Sequence, residues 1–495
     1  MPALSDKGPV SKDVLELMLR LFDRNGMRLI ASVRFSTALP ELEPRRKRGE
    51  SGIELVNADG DPWPGGLRYN PANPRVQAAL RHVVQGIVNR YAHHPSFAGL
   101  AIELEEGTHT IFPEMEFGTD TKTFGQFAKD ANISLDDEKQ SVRRRWLTWR
   151  AAKLGELFLD MKEDVVRGKK SAKLYLTTSG LLSHPVVWSS LSMTSRQPDI
   201  RGALLQVGIN PKLFQNDPSL VLLRPTRISV ENDSHIDVYA ACERDIDAVF
   251  ASRFAGVMVF AGPRQDERAP PQAASVRRHF VHALAAADAE EIFDATGFGM
   301  LTRGAIPRAA INAFRHLPSS PFRDMEAGTN LKNRQPVVVR YLKQGNRTFV
   351  YLLNDSPWPV ESRILLHAKG EIQIRRLGQN KVQKIVDKGK QALNVALDAY
   401  GYAAFEFQGE QLAVLDWETQ LPQTAIAETR LALQALHARV NHRLGKPLEV
   451  LTDPNFEASG SRPRGWQISE GAGIHVALDG RQAYQGGQSL FLRSS

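Results

Sequence analysis

Cysteine is almost absent from this sequence of 495 residues, and long apolar runs are absent altogether. The single cysteine, Cys242, excludes an intrachain disulfide and any cysteine-rich metal site. No stretch approaches the roughly 20 consecutive apolar residues that a membrane-spanning helix needs. The first residues, MPALSDKGPVSKDV, lack the apolar core of a signal peptide, so the chain as written is expected to stay in the cytoplasm. The alternative is that the protein is exported, if a further segment precedes Met1.

Several well-known catalytic and ligand-binding motifs are also missing. There is no GxGxxG or GxxxxGK[ST] pattern, which disfavours nucleotide binding, and Ser179 and Ser192 do not lie in the G-x-S-x-G pattern of a serine hydrolase. His93 and His94 have no HExxH frame, so they indicate a turn before a strand rather than a zinc site, although His109 could join a metal site with the glutamates that precede it. We therefore predict no cofactor and no metal.

The charge of the chain is moderately basic, with 63 Lys and Arg against 55 Asp and Glu, for a net charge of +8. Part of the excess lies in two short runs, residues 45–48 and 143–145. Neither run is interleaved with aromatic residues, as a single-stranded nucleic-acid channel would be, so we interpret both as solvated surface and predict no nucleic-acid partner. An acidic polysaccharide remains an alternative partner.

The chain is too long for one hydrophobic core, and its apolar runs alternate with helical patterns. The runs suited to buried parallel strands are Leu29–Phe35, Phe97–Leu104, Lys173–Thr177, Leu220–Leu223, Val257–Ala261 and Glu291–Asp294. The helical patterns cover Asp13–Asn25, Val76–Ala92, Arg143–Val166, Ser234–Arg253 and Ala274–Ala287. This order predicts an α/β fold, a (β/α) TIM-type barrel over residues 1–320. Because a closed barrel needs eight strands, we expect the barrel to be incomplete, and residues 1–12 and the last fifty residues to be poorly packed.

Three further parts follow the predicted barrel. Strand patterns separated by Gly, Asn and Asp turns, among them Ser362–His367 and Glu371–Arg376, predict a β-sandwich over residues 330–410. An apolar periodicity predicts a linker helix over 420–444. Residues 446–495 are similar to the opening of a jelly-roll carbohydrate-binding module, and we expect a partial β module there.

The most informative segment is the strand Phe97–Leu104 and the acidic loop after it. Side chains alternate along a strand, so Glu103 and Glu105 share the face that carries Gly99 and Ala101. In (β/α) barrels the functional groups lie where strands end. The segment therefore predicts a candidate site at this strand end.

The amino-acid sequence of this region resembles that of β-galactosidase-like glycoside hydrolases, and most closely that of the glycosyl-hydrolase-like proteins called family 10-like. The resemblance covers roughly residues 12–300 and lies in "YNP", "RYAHHPSF", "GLAIEL" and "RRRWLTWRAAKLGELF". It implies a barrel enzyme that acts on saccharides with two carboxylates. In the better-known relatives the fourth strand ends in Asn-Glu, with the Glu as acid/base, whereas this strand ends Glu103-Leu104-Glu105-Glu106.

Two carboxyl groups are the chemical requirement of such an enzyme, about 5 Å apart for retention and roughly 6.5 to 9.5 Å apart for inversion. Our first candidate is Glu105, with Glu103 and Glu106 beside it and a partner from a later strand end, Asp266 or Asp294. The alternative is that Glu103 or Glu105 neutralises Arg34 or Arg224, which also end strands.

A substrate site is expected around these carboxylates. Sugar rings stack on aromatic side chains through their C–H faces, and Trp63 and Tyr69 flank a Pro/Gly-rich loop before Asn70. The remaining candidates are Glu114 and Glu116 on the acidic loop, with Arg34 and Arg224. Two functions follow: a glycoside hydrolase, or a catalytically inactive protein that binds polysaccharide. In both the partner is an oligo- or polysaccharide, and the oligomeric state is open.

Overall fold

The structure of the chain is a computed structural model. The residues that it describes are 13–133, 139–182, 184–192, 199–214, 217–228, 250, 256–261, 273–286, 288–294, 308–325, 336–379, 382–409, 412–445, 474–479 and 489–494. They divide into two units, one up to Gln420 and one from Leu421 onward.

The first unit begins with two parallel sheets that meet at Leu223. One sheet has the order β1 (Leu29–Val33), β2 (Phe97–Glu103), β3 (Lys173–Thr177), β4 (Leu220–Leu222). The other has the order β5 (Arg224–Ile228), β6 (Gly256–Ala261), β7 (Glu291–Asp294). Every pairing within them is parallel, which confirms the predicted parallel α/β arrangement.

Helices lie between β1 and β2, between β2 and β3 and between β6 and β7, as the sequence pattern predicts, and also between β3 and β4. Those described are α1 (Val14–Arg24), α2 (Glu43–Lys47), α3 (Pro74–Tyr91), α4 (Thr121–Asp130), α5 (Lys139–Gly168), α6 (Ser179–Leu182), α7 (Pro185–Ser192), α8 (Ile200–Gln206), α9 (Ala273–Ala286) and α10 (Arg308–Arg315). The helix expected over residues 234–253 lies outside the described residues, apart from Phe250. Among the described strands, β1 and β7 are not paired with each other, so a complete barrel is not shown.

Side chains on the inner face link strands that are not neighbours in the sheets. The ring of Tyr175 of β3 lies 5.0 Å from that of Phe293 of β7 and is tilted against it by 57°, and the Tyr175 hydroxyl donates to Glu291 at 3.1 Å. Ala101 of β2 and Leu223 belong to the same buried cluster. The parallel strands therefore curve far enough for β3 and β7 to touch across the interior.

The outer face of β1–β4 packs on the helices in a large apolar core. The side chains of Leu100 and Ile102 of β2 are fully buried in this core, on the face of the sheet opposite to that of Ala101. On α5, Trp146 and Trp149 stack at 5.3 Å and are almost fully buried, so they pack on the inner face of that helix.

An antiparallel sheet completes the first unit. Its strands are β8 (Arg323–Asp324), β9 (Val337–Gln344), β10 (Arg347–Asn354), β11 (Val360–Arg376), β12 (Val382–Leu397), β13 (Tyr402–Gln408) and β14 (Ala413–Gln420). They form one hydrogen-bonded sheet, because β11 pairs with β12 along its length and with both β13 and β14. The two strands predicted at 362–367 and 371–376 are thus a single strand, and β14 was not predicted. One core lies within this sheet, and another lies between the sheet, α9 and α10.

The second unit contains α11 (Gln423–Gly445) and an antiparallel hairpin of β15 (Ile474–Asp479) and β16 (Ser489–Ser494). The predicted linker helix is present and extends to Gly445. The remaining residues of the predicted terminal module, like residues 1–12, lie outside the described part of the chain. None of the helices that the structure describes is long and apolar enough to cross a membrane.

Gly99 has a backbone conformation and a position that require glycine. Its φ is +148°, and a Cβ there would overlap the main-chain carbonyl of Lys173 on β3. The register between β1 and β2 also shifts at this point. We expect Gly99→Ala to lower the free energy of unfolding by roughly 1–3 kcal/mol.

Gly125 is the matched control, since it lies within α4 and a Cβ added to it would meet no heavy atom within 4 Å. Gly125→Ala should raise stability by roughly 0.5–1 kcal/mol. Thermal and urea unfolding of both variants measure the two effects. Equal stability of the two variants would contradict the close packing of β2 against β3.

Candidate active site at the carboxyl end of β2

The carboxyl ends of β1, β2 and β3 place three polar side chains side by side. Glu103 ends β2 and lies opposite Thr177, the last residue of β3. The Ser32 hydroxyl of β1 donates to Glu103 Oε1 at 2.6 Å. The Thr177 hydroxyl is buried and has no hydrogen-bond partner among the residues that the structure describes. Glu103 is therefore held by the neighbouring strand at the inner edge of the sheet.

Glu105 forms an ion pair with Arg34, which follows β1. Arg34 Nη2 lies 3.2 Å from Glu105 Oε2, with 29% of the Glu105 side chain exposed. An ion pair this open to water contributes little stability, and the carboxylate stays accessible. A Cβ at Gly180 would come within 2.5 Å of the Glu105 Cγ, so glycine at this position leaves the space that Glu105 occupies.

Glu114 lies on the acidic loop that follows and differs from its neighbours in burial. Glu106 and Glu116 are exposed, whereas Glu114 is partly buried. Burial raises the pKa of Glu114, and the negative charges of Glu116 and Glu106 raise it further. Glu114 thus holds its proton to higher pH than an ordinary glutamate.

Arg150 of α5 supports this part of the loop from inside the protein. It is fully buried, and its guanidinium donates to the carbonyls of Glu114 at 2.8 Å and Met115 at 3.1 Å. It also lies 3.9 Å from the centre of the Phe112 ring. Burial lowers the pKa of Arg150 to about 9, with the charge of Glu116 acting in the opposite direction. The group still carries its charge near neutral pH.

Arg68 supports the first half of the same loop in a similar way. It is 1% exposed, and its Nη1 donates to the carbonyls of Thr108 at 3.0 Å and Ile111 at 3.3 Å. Burial lowers its pKa to about 10, against the effect of Glu106. Its Nε and Nη2 have no partner within the described part of the chain. Two buried cations therefore hold the backbone of a loop that carries three glutamates.

Two buried histidines lie close to this loop. Nε2 of His109 donates to the Thr37 carbonyl at 3.0 Å, and its Nδ1 accepts from the Tyr69 N–H at 3.4 Å. Burial lowers the pKa of His109 to about 4, so the ring is neutral. Since both nitrogens are engaged, His109 does not join a metal site with Glu103 and Glu105 as the sequence allowed.

His184 follows α6 and is almost fully buried. Burial lowers its pKa to about 4, and the charge of Arg68 lowers it further. Neither ring nitrogen has a partner among the described residues. The sequence pattern did not point to His184, Arg68 or Arg150. Only the position of His184 soon after a strand end could have drawn attention to it.

The predicted substrate-binding residues are distributed unevenly around the site. Tyr69 is fully buried, and its hydroxyl donates to Glu43 at 2.6 Å. Asn70 is also fully buried and donates to Thr123 at 2.8 Å. These contacts leave neither side chain open to a ligand. Arg224 is buried at the start of β5, whereas Trp63 is half-buried and packs edge-on against Phe117 at 5.0 Å.

Of the two carboxylates expected from later strand ends, the structure describes only the backbone of one. Asp294 ends β7, in register with Val259 of β6, and its side chain lies outside the described part of the structure. Asp266 lies outside the described residues. The pairing of either aspartate with Glu105 stays a prediction.

One group of side chains has the spacing of a metal site, but at the other end of β2. Glu16, His93 and His94 each offer a ligand atom, all within 4.8 Å of one another. His94 is already hydrogen-bonded to Asp23 at 2.7 Å and to Glu16 at 3.0 Å, and the hydrogen bond that Asp23 accepts raises the pKa of His94. The geometry is that of a histidine joining α1 to the turn before β2, in agreement with the predicted turn.

Arg150 gives a direct test of how the acidic loop is held. Arg150→Met removes two charge-assisted hydrogen bonds and leaves two loop carbonyls unpaired, so we expect a loss of roughly 2–4 kcal/mol in unfolding free energy. Hydrogen exchange in residues 105–118 should also become faster. Arg144→Met, on the exposed side of the same helix, is the control and should change neither. Unchanged exchange in the Arg150 variant would show that the loop does not depend on this contact.

Comparison with known proteins finds no matching family model and no matching curated protein. A β-galactosidase from the psychrophilic Marinomonas ef1 is 13% identical, with 59% of this chain and 47% of that chain covered and a TM-score of 0.37. A β-galactosidase from G. stearothermophilus is 9% identical, with 80% and 90% covered and a TM-score of 0.41. An α-amylase from Anoxybacillus is 10% identical, with 80% of each chain covered and a TM-score of 0.36.

The chain thus spans less than half the length of the Marinomonas enzyme. All three similar structures are glycoside hydrolases. TM-scores between 0.36 and 0.41 are too low to establish a shared fold, so the likeness does not assign this chain to a family.

Proposed function

We propose that this protein is a glycoside hydrolase that uses Glu105 and Glu114 as its two carboxyl groups. The observation that carries the proposal is the difference between the environments of these two carboxyl groups. Glu105 is an ion-paired carboxylate at a strand end, whereas Glu114, on the adjoining loop, has a raised pKa. Acid–base cleavage of a glycosidic bond requires two carboxyl groups, one of which holds a proton to donate, and the raised pKa of Glu114 suits it to that role.

In this mechanism the protonated Glu114 donates its proton to the leaving glycosidic oxygen. Glu105 then acts as the nucleophile if the two groups are about 5 Å apart, or activates water if they are roughly 6.5 to 9.5 Å apart. Arg34 orients Glu105 through the 3.2 Å ion pair. Asp294 and Asp266 remain alternatives for the second carboxyl group.

The substrate class is an oligo- or polysaccharide. The half-buried Trp63 offers an aromatic face of the kind on which sugar rings stack, and the exposed Glu106 and Glu116 can accept hydrogen bonds from sugar hydroxyls. The sequence resemblance to β-galactosidase-like glycoside hydrolases supports the same class.

The second candidate function is polysaccharide binding without cleavage. It is favoured by the Glu105–Arg34 ion pair, which neutralises the candidate carboxylate, and by a strand end that lacks Asn-Glu. In that case the strand-end site would hold a saccharide and leave its glycosidic bonds intact.

Conservative substitution of each carboxyl group separates the two functions. We expect Glu105→Gln and Glu114→Gln each to lower kcat on a reactive p-nitrophenyl glycoside by about 10²- to 10⁴-fold, because each removes one proton-transfer or nucleophilic group. A panel of galactosides, glucosides, xylosides and glucuronides identifies the substrate. Glu41→Gln, an exposed residue elsewhere in the chain, is the control for the substitution. Binding of an oligosaccharide without hydrolysis by the wild-type protein would favour the second function.

The pH dependence of activity tests the role of Glu114. An acid must be protonated to act, so activity should fall as the pH rises through the pKa of Glu114. Removal of a neighbouring negative charge in Glu116→Gln should lower that pKa and move the alkaline limb of kcat/KM to lower pH. Glu156→Gln on α5 should leave the profile unchanged. A limb that stays in place in Glu116→Gln would exclude Glu114 as the acid.

A further inference from the structure

A separate cavity lies between the antiparallel sheet and helices α9 and α10. It has a volume of about 230 Å³ and shares no residue with the strand-end site. Its walls come from α9, α10, the end of β11, the end of β12 and the start of β13. Since one water accounts for about 30 Å³ of liquid, the cavity has room for several waters or one small molecule.

Two arginines give this cavity a positive wall. Arg277 of α9 and Arg376 of β11 both line it and are partly exposed. Within the described residues, neither has a carboxylate in ion-pair range, and Arg376 lies 5.8 Å from the centre of the Phe405 ring. Asp398 also lines the cavity, so two positive charges face one negative charge. The balance favours an anion.

Aromatic rings form another part of the wall. Tyr400, Tyr402 and Phe280 line the cavity, with Phe280 edge-on to Tyr402 at 6.1 Å. The buried Tyr402 hydroxyl has no hydrogen-bond partner among the described residues. Tyr400 has a φ of +50°, an uncommon conformation for an aromatic residue, which the surrounding turn must stabilise. The wall therefore combines ring surfaces with polar groups.

We propose that this cavity binds a single acidic sugar unit, a hexuronate, as a second saccharide site. The guanidinium groups of Arg277 and Arg376 would hold the carboxylate, since planar guanidinium groups suit carboxylates. The aromatic rings would contact the C–H face of the sugar, and Asp398 and Gln379 would accept or donate hydrogen bonds to its hydroxyls. An aromatic carboxylate would leave these last two groups unused. The site does not depend on hydrolysis at the strand ends.

Calorimetric titration with galacturonate, galactose and inorganic phosphate tests the proposal on the full chain. We expect galacturonate to bind at least 10-fold more tightly than galactose or phosphate. Arg277→Gln and Arg376→Gln should each weaken galacturonate binding by 10-fold or more. Arg376→Lys should reduce the affinity for galacturonate less than Arg376→Gln does. Arg315→Gln, an exposed arginine on α10 outside the cavity, is the control and should bind as the wild type does.

Three results would overturn the proposal: equal binding of galactose, equal binding of phosphate, or galacturonate binding that survives both glutamine substitutions. Glu105→Gln and Glu114→Gln distinguish the two sites. Both should bind galacturonate as the wild type does, whatever their effect on hydrolysis. Loss of galacturonate binding in these two variants would place the ligand at the strand ends and contradict the second site.

Discussion

Two buried guanidinium groups hold the backbone of the acidic loop, and the candidate site depends on them. Arg68 donates to the carbonyls of Thr108 and Ile111, and Arg150 donates to those of Glu114 and Met115. Burial of a cation is costly, and these hydrogen bonds to carbonyls offset part of that cost. The negative charges of Glu106 and Glu116 offset more of it. The positive interior and the acidic surface of the loop therefore stabilise each other.

The parallel strands supply the other half of the site. The strands β1, β2 and β3 each place a polar residue at or near the carboxyl end, and the contact of Tyr175 with Phe293 and Glu291 joins β3 to β7 across the interior. The close approach of β2 to β3 at Gly99 sets their register, and with it the position of Glu103 beside Ser32 and Thr177. Burial of Glu114, and hence its raised pKa, follows from a loop anchored on this sheet. Sheet and loop together give two carboxyl groups in unlike environments.

Much of this could be predicted from the sequence, because the signals are local. Hydrophobic runs located six of the seven described parallel strands within one or two residues but missed β5, and alternation along Phe97–Glu103 put Ala101 and Glu103 on the inner face. The predictions that failed concern residues whose positions depend on contacts with distant parts of the chain. Arg150 follows a basic run that looks solvated, and nothing local shows that it points into the core. Tyr69 and Asn70 looked like ligand-binding residues in a loop, yet hydrogen bonds to Glu43 and Thr123 bury them. The strands at 362–367 and 371–376 looked separate because Gly370 resembles a turn, but pairing with β12 carries the strand through it.

The protonation of Glu114 is the property that tests the two-carboxyl site most directly. Carbon-13 NMR of the chain with labelled glutamate carboxyl groups, assigned by the signal lost in Glu114→Gln, measures its titration without knowledge of the substrate. We predict a midpoint above 4.5, the ordinary value for a glutamate. A midpoint at or below 4.5 would contradict the assignment of Glu114 as the acid, and with it the two-carboxyl site.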